Sequence, residues 1–475
     1  MEWKSIIGLE VHVQLRTKSK IFSGSPTAYG SESNTQACAI DLGFPGILPV
    51  LNKEAVRLAI RFGLSIRAEI AKRSVFSRKN YFYPDLPKGY QISQHTLPII
   101  KSGYLDIETK KGVFKRIRIA RAHLEEDSGK SIHVDGYSGI DFNRAGMPLL
   151  EIVSEPDIHS AGEALIYLKT LHTLIRYIGV SDANMQEGAF RCDVNVSLNP
   201  KEETKFGVRT EIKNINSFRF VERAILFEIS RQKKLLKSGK KIVQETRFYN
   251  SVHDKTQSMR TKETEHDYRY FPDPDLLPLE ITEEFISSIE NELPELPEEK
   301  RHRLQSSYDL DNYSVTLLTQ SIDVANYFEN LLKINSSISP KLIVRWITGN
   351  LAAALNKNNL EISKSPISAE KLSGLLQRIS DNTLSIDMAK KVFDIMWNTK
   401  EEADVIIKRQ RLRKITDIGD LERIIDTVIL NNPKQAVEFR SGKVSLFTFF
   451  IGQIMKATSG RADPKQIHAI LKEKL

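Results

Sequence analysis

Glu10 and His12 stand two residues apart in a run that alternates almost without a break, Ile6-Ile7-Gly8-Leu9-Glu10-Val11-His12-Val13-Gln14-Leu15. A carboxylate and an imidazole on one stiff support can hold a hard divalent cation or move a proton. Acids recur in four more strand-like runs. Asp193 and Asn195 face away from Cys192, Val194 and Val196 in Arg191–Leu198, and Glu211 lies between Arg209 and Lys213. Glu125 sits near the acidic end of Ile117–Asp127, and Glu151 interrupts the apolar stretch Pro148-Leu149-Leu150-Glu151-Ile152-Val153. A lone acid among apolar neighbours is costly to bury unpaired, so Glu151 calls for a cation. Taken singly, each run also describes an ordinary half-solvated strand. Together they describe a cavity that repels anions unless cations fill it, and oxygens plus imidazole suit Mg²⁺ with its waters and substrate phosphates.

These side chains need strands whose other face is buried. Successive strand residues point to opposite sides, so Ile7, Leu9, Val11, Val13 and Leu15 enter a core while Glu10, His12 and Gln14 stay on the working face. Helices punctuate the strands. Asn52 caps one through Leu64, Ser160 with Glu163 forms a capping box ahead of one to Tyr177, and a third runs from Phe218 to Lys237 before Gly239. Eighteen of the 24 glycines precede residue 300, and beyond Glu298 nearly every window has helical spacing. The expected class is α+β, with a mainly antiparallel sheet in a first domain (1–292), a helical domain (293–405) and a tail (406–475).

A basic, aromatic stretch supplies candidates for binding substrate: Arg78, Lys79, Asn80, Tyr81, Tyr83, Lys88 and Tyr90. Cations there can meet phosphates and a tyrosine can stack on a base. A structural loop with Tyr-Pro turns reads equally well. No G-x-x-x-x-G-K-[ST], G-x-G-x-x-G, H-E-x-x-H or G-x-S-x-G motif occurs, so a nucleotide must be handled through metal and carboxylates.

Composition bounds the rest. At 475 residues, 40% hydrophobic and 27% charged, the chain has the make-up of a soluble globular protein of two or three domains. No apolar run approaches the roughly 20 residues of a membrane span. Met1-Glu2-Trp3-Lys4 lacks a signal-peptide core, and two cysteines are too few for a disulfide scaffold, so a cytoplasmic protein is expected. Of the net +9, most sits at the end: from Ile406 to Leu475 there are 14 Lys/Arg against 7 Asp/Glu, a surplus of 7. Such a tail suits a polyanion, nucleic acid first, and equally fits a solvated helical surface.

Six motifs, in order along the whole chain, resemble one family. They are Ile7-Gly8-Leu9-Glu10-Val11-His12, Arg78-Lys79-Asn80-Tyr81-Phe82-Tyr83-Pro84-Asp85, His123-Leu124-Glu125-Glu126-Asp127-Ser128-Gly129-Lys130, Asp141 through Ile152, Asp267-Tyr268-Arg269-Tyr270-Phe271-Pro272-Asp273-Pro274-Asp275, and Gly452-Gln453-Ile454-Met455-Lys456. The family is that of the B subunits of bacterial aspartyl/glutamyl-tRNA amidotransferases. The resemblance implies a cradle domain, a helical domain and a tail similar to the YqeY family. It also implies a two-step ligase: ATP-dependent phosphorylation of the side-chain carboxylate of mischarged Glu-tRNA(Gln) or Asp-tRNA(Asn), then amidation. The partners it implies are the A and C subunits of the same enzyme, the first a glutaminase that releases ammonia and the second a small protein that ties the assembly together. His12, Glu125 and Glu151 match the positions that hold Mg²⁺, with Glu10, Asp193 and Glu211 lining the same cavity. One departure concerns zinc. Where many members carry C-x-C followed by C-x-x-C, this chain has Ser23, Ser25, Cys38 and Asp41, and one thiolate makes no tetrahedral site, so no zinc is expected. A non-catalytic tRNA-binding scaffold is the alternative, opposed by the intact set Glu10, His12, Glu125 and Glu151. A third reading, a self-sufficient amidotransferase, is opposed because no nucleophile motif suggests ammonia production.

Overall fold

The alternation of the first run becomes β1 (Trp3–Gln14), in which Ile7, Leu9, Val11 and Val13 are at most 1% exposed while Glu10, His12 and Gln14 are half-buried. Burying each of those aliphatic side chains contributes about 1.5–3 kcal/mol, which fixes the strand's facing. This computed structural model describes residues 2–475 except 111, 201, 203–205, 214, 262–267, 411, 413–417 and 459–461. Asp267 of the aromatic motif therefore lies outside the described residues.

Around β1 the strands that carry the acids assemble. They are β2 (Arg73–Asn80), β3 (Tyr90–Leu97), β4 (Val113–Glu126), β5 (Pro148–Ser154), β6 (Phe190–Pro200), β7 (Thr210–Lys213) and β8 (Glu245–Asn250). Within a 13-stranded sheet their order is β8-β7-β6-β1-β5-β4-β3-β2, so the first strand of the chain is a central one. Pairing among the described strands is antiparallel except between β7 and β8. The class is α+β with a mainly antiparallel sheet, as the sequence implies.

Three helices share the apolar side of the sheet's core. α1 (Lys53–Ser65) starts at Asn52, whose side chain accepts from the Glu54 amide at 2.9 Å. α2 (Ala161–Tyr177) starts at Ser160, whose hydroxyl accepts from the Glu163 amide. The return arm of that box lands one residue earlier than the motif predicts: the Glu163 carboxylate takes the His159 amide at 2.9 Å. α3 (Phe218–Lys237) stops ahead of Gly239, whose φ of 73° is left-handed. Ala164, Leu168, Leu171, Val221 and Ile225 share one core with Val11, Val194 and Ile152. With that face filled, the polar residues of the same strands gather on the other.

Met1–Pro297 forms one compact unit and Glu298–Leu475 a second. The second has no strand among its described residues and holds two separate apolar cores. One runs from Leu304 to Ile407, so the helix Ala403–Gln410, where the expected tail begins, packs with the middle helices. The other gathers Leu421, Ile425, Phe450, Ile454, Ile467 and Leu471, with Phe447 and Phe449 packed against it. No helix among the described residues is long and apolar enough to cross a membrane.

Candidate active site

Register brings the chemistry together. Across the sheet, His12 on β1 lies opposite Arg191 on β6 and Glu151 on β5, and Glu151 in turn lies opposite His123 on β4. Directly opposed residues in antiparallel strands point to the same face. Two residues along, the same face carries Glu10 opposite Asp193, and Asn195 opposite Glu211. Glu125, two residues along β4 from His123, shares that face, so the six candidates Glu10, His12, Glu125, Glu151, Asp193 and Glu211 are neighbours because one sheet lines them up.

They form two clusters. His12, Glu125 and Glu151 each offer a ligand atom, all within 4.8 Å of one another, and so do Glu10, Asp193 and Glu211. In the first, His12 Nε2 is 3.2 Å from Glu151 and 3.6 Å from Glu125. Burial works against a charged His12 ring, but Glu151 and Glu125 outweigh it and hold its pKa up at about 9. Burial, then the charge of Glu151, pushes the Glu125 carboxyl well above the usual carboxylate range. Burial also works to raise Glu151, but His123 and His12 more than reverse it and keep that carboxylate ionised. A proton on His12 is thus doing what a bound cation would do. The donor set, two carboxylates and one imidazole beside a polar cavity of about 220 Å³, fits Mg²⁺.

Cations ring this cavity. Lys79 lines it beside Glu125, and burial, which would discharge the ammonium, is outweighed by Glu125 and its neighbours. Lys213, at the end of β7, lies 2.7 Å from Asp193 and 3.3 Å from Glu211. Burial opposes its charge too, and those two carboxylates raise its pKa. Asn195 donates to Glu10 at 3.0 Å and Thr246 to Glu211 at 2.8 Å, so the second cluster is held by protein donors.

A model of the GatB/GatE catalytic domain matches residues 5–287, and a GatB domain matches 326–475. The B subunit of the aspartyl/glutamyl-tRNA(Asn/Gln) amidotransferase of Coxiella burnetii (strain RSA 493 / Nine Mile phase I) is 68% identical over the full length of both chains. The proteins of the same name from Thioalkalivibrio sulfidiphilus and Nitrosococcus oceani are 59% and 54% identical, again over the whole of each chain. The chain belongs to this family.

In this GatB-family chain the basic, aromatic stretch divides. Lys79 reaches the acidic cavity, and Tyr81 donates to Gln91, which lines it, at 3.1 Å. Arg78 is tied to Asp273 at 2.8 Å and Asp275 at 2.9 Å with its guanidinium over the Tyr90 ring, and Lys88 is clamped on Glu126 at 2.5 Å. Asn80 donates to the Tyr268 and Arg269 carbonyls, and Tyr83 is 57% exposed on the turn. Those five do not line the acidic cavity. Sequence reading missed Arg191 and Lys213, although Arg191 shares the i, i+2 face of Asp193 and Asn195, the signal that could have found it.

The positions that carry thiolates in zinc-bearing members do not fit that metal here. Asp41 accepts from Ser23 at 2.8 Å, Ser25 at 2.7 Å and the Cys38 amide at 2.9 Å, and pairs with fully buried Lys20 at 3.3 Å. Gly146 is needed beside it, because its φ is 79° and a Cβ there would come 2.8 Å from Asp41 Oδ1. Lys20 also donates to the Phe142 carbonyl at 3.3 Å, which ties this node to the loop that carries Arg144.

Proposed function

We propose that this chain is the B subunit of a glutamine-dependent tRNA amidotransferase, a ligase of protein biosynthesis that activates and amidates misacylated tRNA. The observation that carries the chemistry is the triad His12, Glu125 and Glu151, delivered by three adjacent strands to within 4.8 Å. These three would hold Mg²⁺, which when bound neutralises charge on the phosphate oxygens. The side-chain carboxylate of glutamate or aspartate esterified to tRNA(Gln) or tRNA(Asn) attacks the terminal phosphorus of ATP. The bond to ADP breaks and an acyl phosphate forms. Ammonia then attacks the acyl carbon, phosphate leaves with the bonding pair, and a proton is lost to give the amide. The first step needs no general base, since the nucleophile is already ionised. Positioning and charge neutralisation suffice, and Lys79, Arg191 and Lys213 ring the place where the phosphate reacts. The A subunit, as glutaminase, would supply the ammonia, and the small C subunit would complete the assembly. The basic tail would hold the body of the tRNA, chiefly through phosphate and ribose.

The test is phosphate transfer from ATP by the assembled complex on each mischarged tRNA. Glu125→Gln should lower it by roughly a hundredfold or more, because a neutral amide binds Mg²⁺ poorly, while glutamine hydrolysis by the partner continues. Normal amide formation by that variant would refute the assignment.

A further inference from the structure

His123 is buried beside the triad at a cost. It lies on β4 directly opposite Glu151 on β5, with 6% of its surface exposed. Its Nδ1 is sealed from solvent and has no hydrogen-bond partner among the described residues. A buried polar atom left unpaired is destabilising, and an apolar side chain in the same slot would avoid that cost.

The other ring nitrogen shows what the histidine is for. Nε2 stands 3.7 Å from Glu151 Oε2, the same oxygen that His12 Nε2 approaches at 3.2 Å. A neutral imidazole has one N–H and one bare nitrogen. A proton on Nδ1 would bury a donor with no acceptor, so Nδ1 is the bare nitrogen and the N–H is on Nε2, facing Glu151. Burial holds the ring neutral, pushing its pKa down to about 4 although Glu151 pulls it up.

The separation of 3.7 Å is longer than a hydrogen bond, and closing it takes a shift of roughly 0.5–1 Å. His12 holds that oxygen in its place while it carries a proton. As a ligand, His12 would turn the same nitrogen to an ion and give up Glu151. His123 is then the ring left against that oxygen.

We propose that His123 is a positioning residue for the ion site: its Nε2–H holds the Glu151 carboxylate in place for a divalent cation once His12 becomes a ligand, and the bare Nδ1 fixes the tautomer that does so. Hydrogen bonds of this kind to ligating carboxylates orient them and keep them ionised. The inference rests on the assignment of His12, Glu125 and Glu151 to Mg²⁺ and adds a residue that acts through Glu151.

Mn²⁺, a paramagnetic stand-in for Mg²⁺, reads the site directly when titrated into the assembled complex without ATP and followed by electron paramagnetic resonance. His123→Phe keeps a flat ring and removes the donor, so Mn²⁺ binding should weaken about 10- to 100-fold. Its thermal midpoint should stay level or rise, because the orphaned nitrogen is gone. His123→Leu, which also lacks the donor, should behave in the same way. His123→Gln carries an amide N–H close to where Nε2 sits and should bind Mn²⁺ within about threefold of the unaltered complex. Phosphate transfer by His123→Phe should recover as Mg²⁺ is raised, while glutamine hydrolysis by the partner is unaffected throughout. Unchanged affinity in His123→Phe would overturn the proposal. Equal losses in His123→Phe and His123→Gln, or a loss that tracks a falling thermal midpoint, would reduce His123 to a packing element. An unaltered complex that binds no Mn²⁺ would instead remove the ion-site assignment itself.

Discussion

The two acid clusters on the sheet are built from the same parts and end in different states. Each puts three potential ligand atoms within 4.8 Å, and they meet on β1, which carries both Glu10 and His12, with β6 and β7 on one side and β5 and β4 on the other. The Glu10 cluster has a cation supplied by the chain, the Lys213 ammonium, and amide and hydroxyl donors from Asn195 and Thr246. In the His12 cluster the groups nearest the two carboxylates are imidazoles, His12 at 3.2 and 3.6 Å and His123 at 3.7 Å, with Lys79 also lining the cavity. What separates them is therefore the permanence of the counter-charge. A lysine stays protonated at working pH, whereas an imidazole gives up its proton to a metal. The acids alone do not distinguish the two clusters; the nature of the cationic group among them does.

The sharpest way to break this comparison is to neutralise one acid in each cluster. Glu151→Gln should reduce phosphate transfer by about 10²- to 10³-fold, the scale of losing a charge-stabilising group. Asp193→Asn should cost about tenfold, since Lys213 keeps Glu211 as a partner. Equal losses in single-turnover assays would mean that the two clusters act as one ion site.

Next in size is the pH response of the His12 cluster. Its imidazole pKa stands raised at about 9, so below that pH a proton competes with the ion, and Glu125, also raised, adds a second competing proton lower down. Mn²⁺ affinity should climb about tenfold per pH unit from neutrality toward pH 9 and level off above it. Calorimetry in buffers of different ionisation enthalpy would count the protons released. An affinity flat across that range would show that His12 carries no proton before the ion arrives.

The smallest effect belongs to the lysine. Lys213→Met leaves Asp193 and Glu211 facing each other without their ammonium. With the lysine 41% exposed and water able to reach the site, the loss should be about 1–2 kcal/mol in thermal or denaturant unfolding. An unchanged midpoint would mean that solvent already satisfies those acids.

The sequence by itself determined the strands, their facing and the family. Period-two alternation in β1, β4 and β6 told which side chains share a face, because a buried apolar face tolerates no slip of one residue. Capping residues set where α1 and α2 begin, because orphan amides at a helix start need a side-chain acceptor next to them. The ligand candidates Glu10, His12, Glu125, Glu151, Asp193 and Glu211 were legible too, as acids on polar faces or stranded among apolar neighbours. Their division into two clusters was not. It depends on strand order and register, which place Glu151 between His12 and His123 and bring Lys213 onto Asp193. Arg78 and Lys88 read as phosphate ligands by type, yet partners 195 and 38 positions away hold both. Only the tertiary structure decides such pairings, because an ion pair forms with whichever charge the fold brings within a few ångströms, and one-dimensional spacing carries no record of that distance.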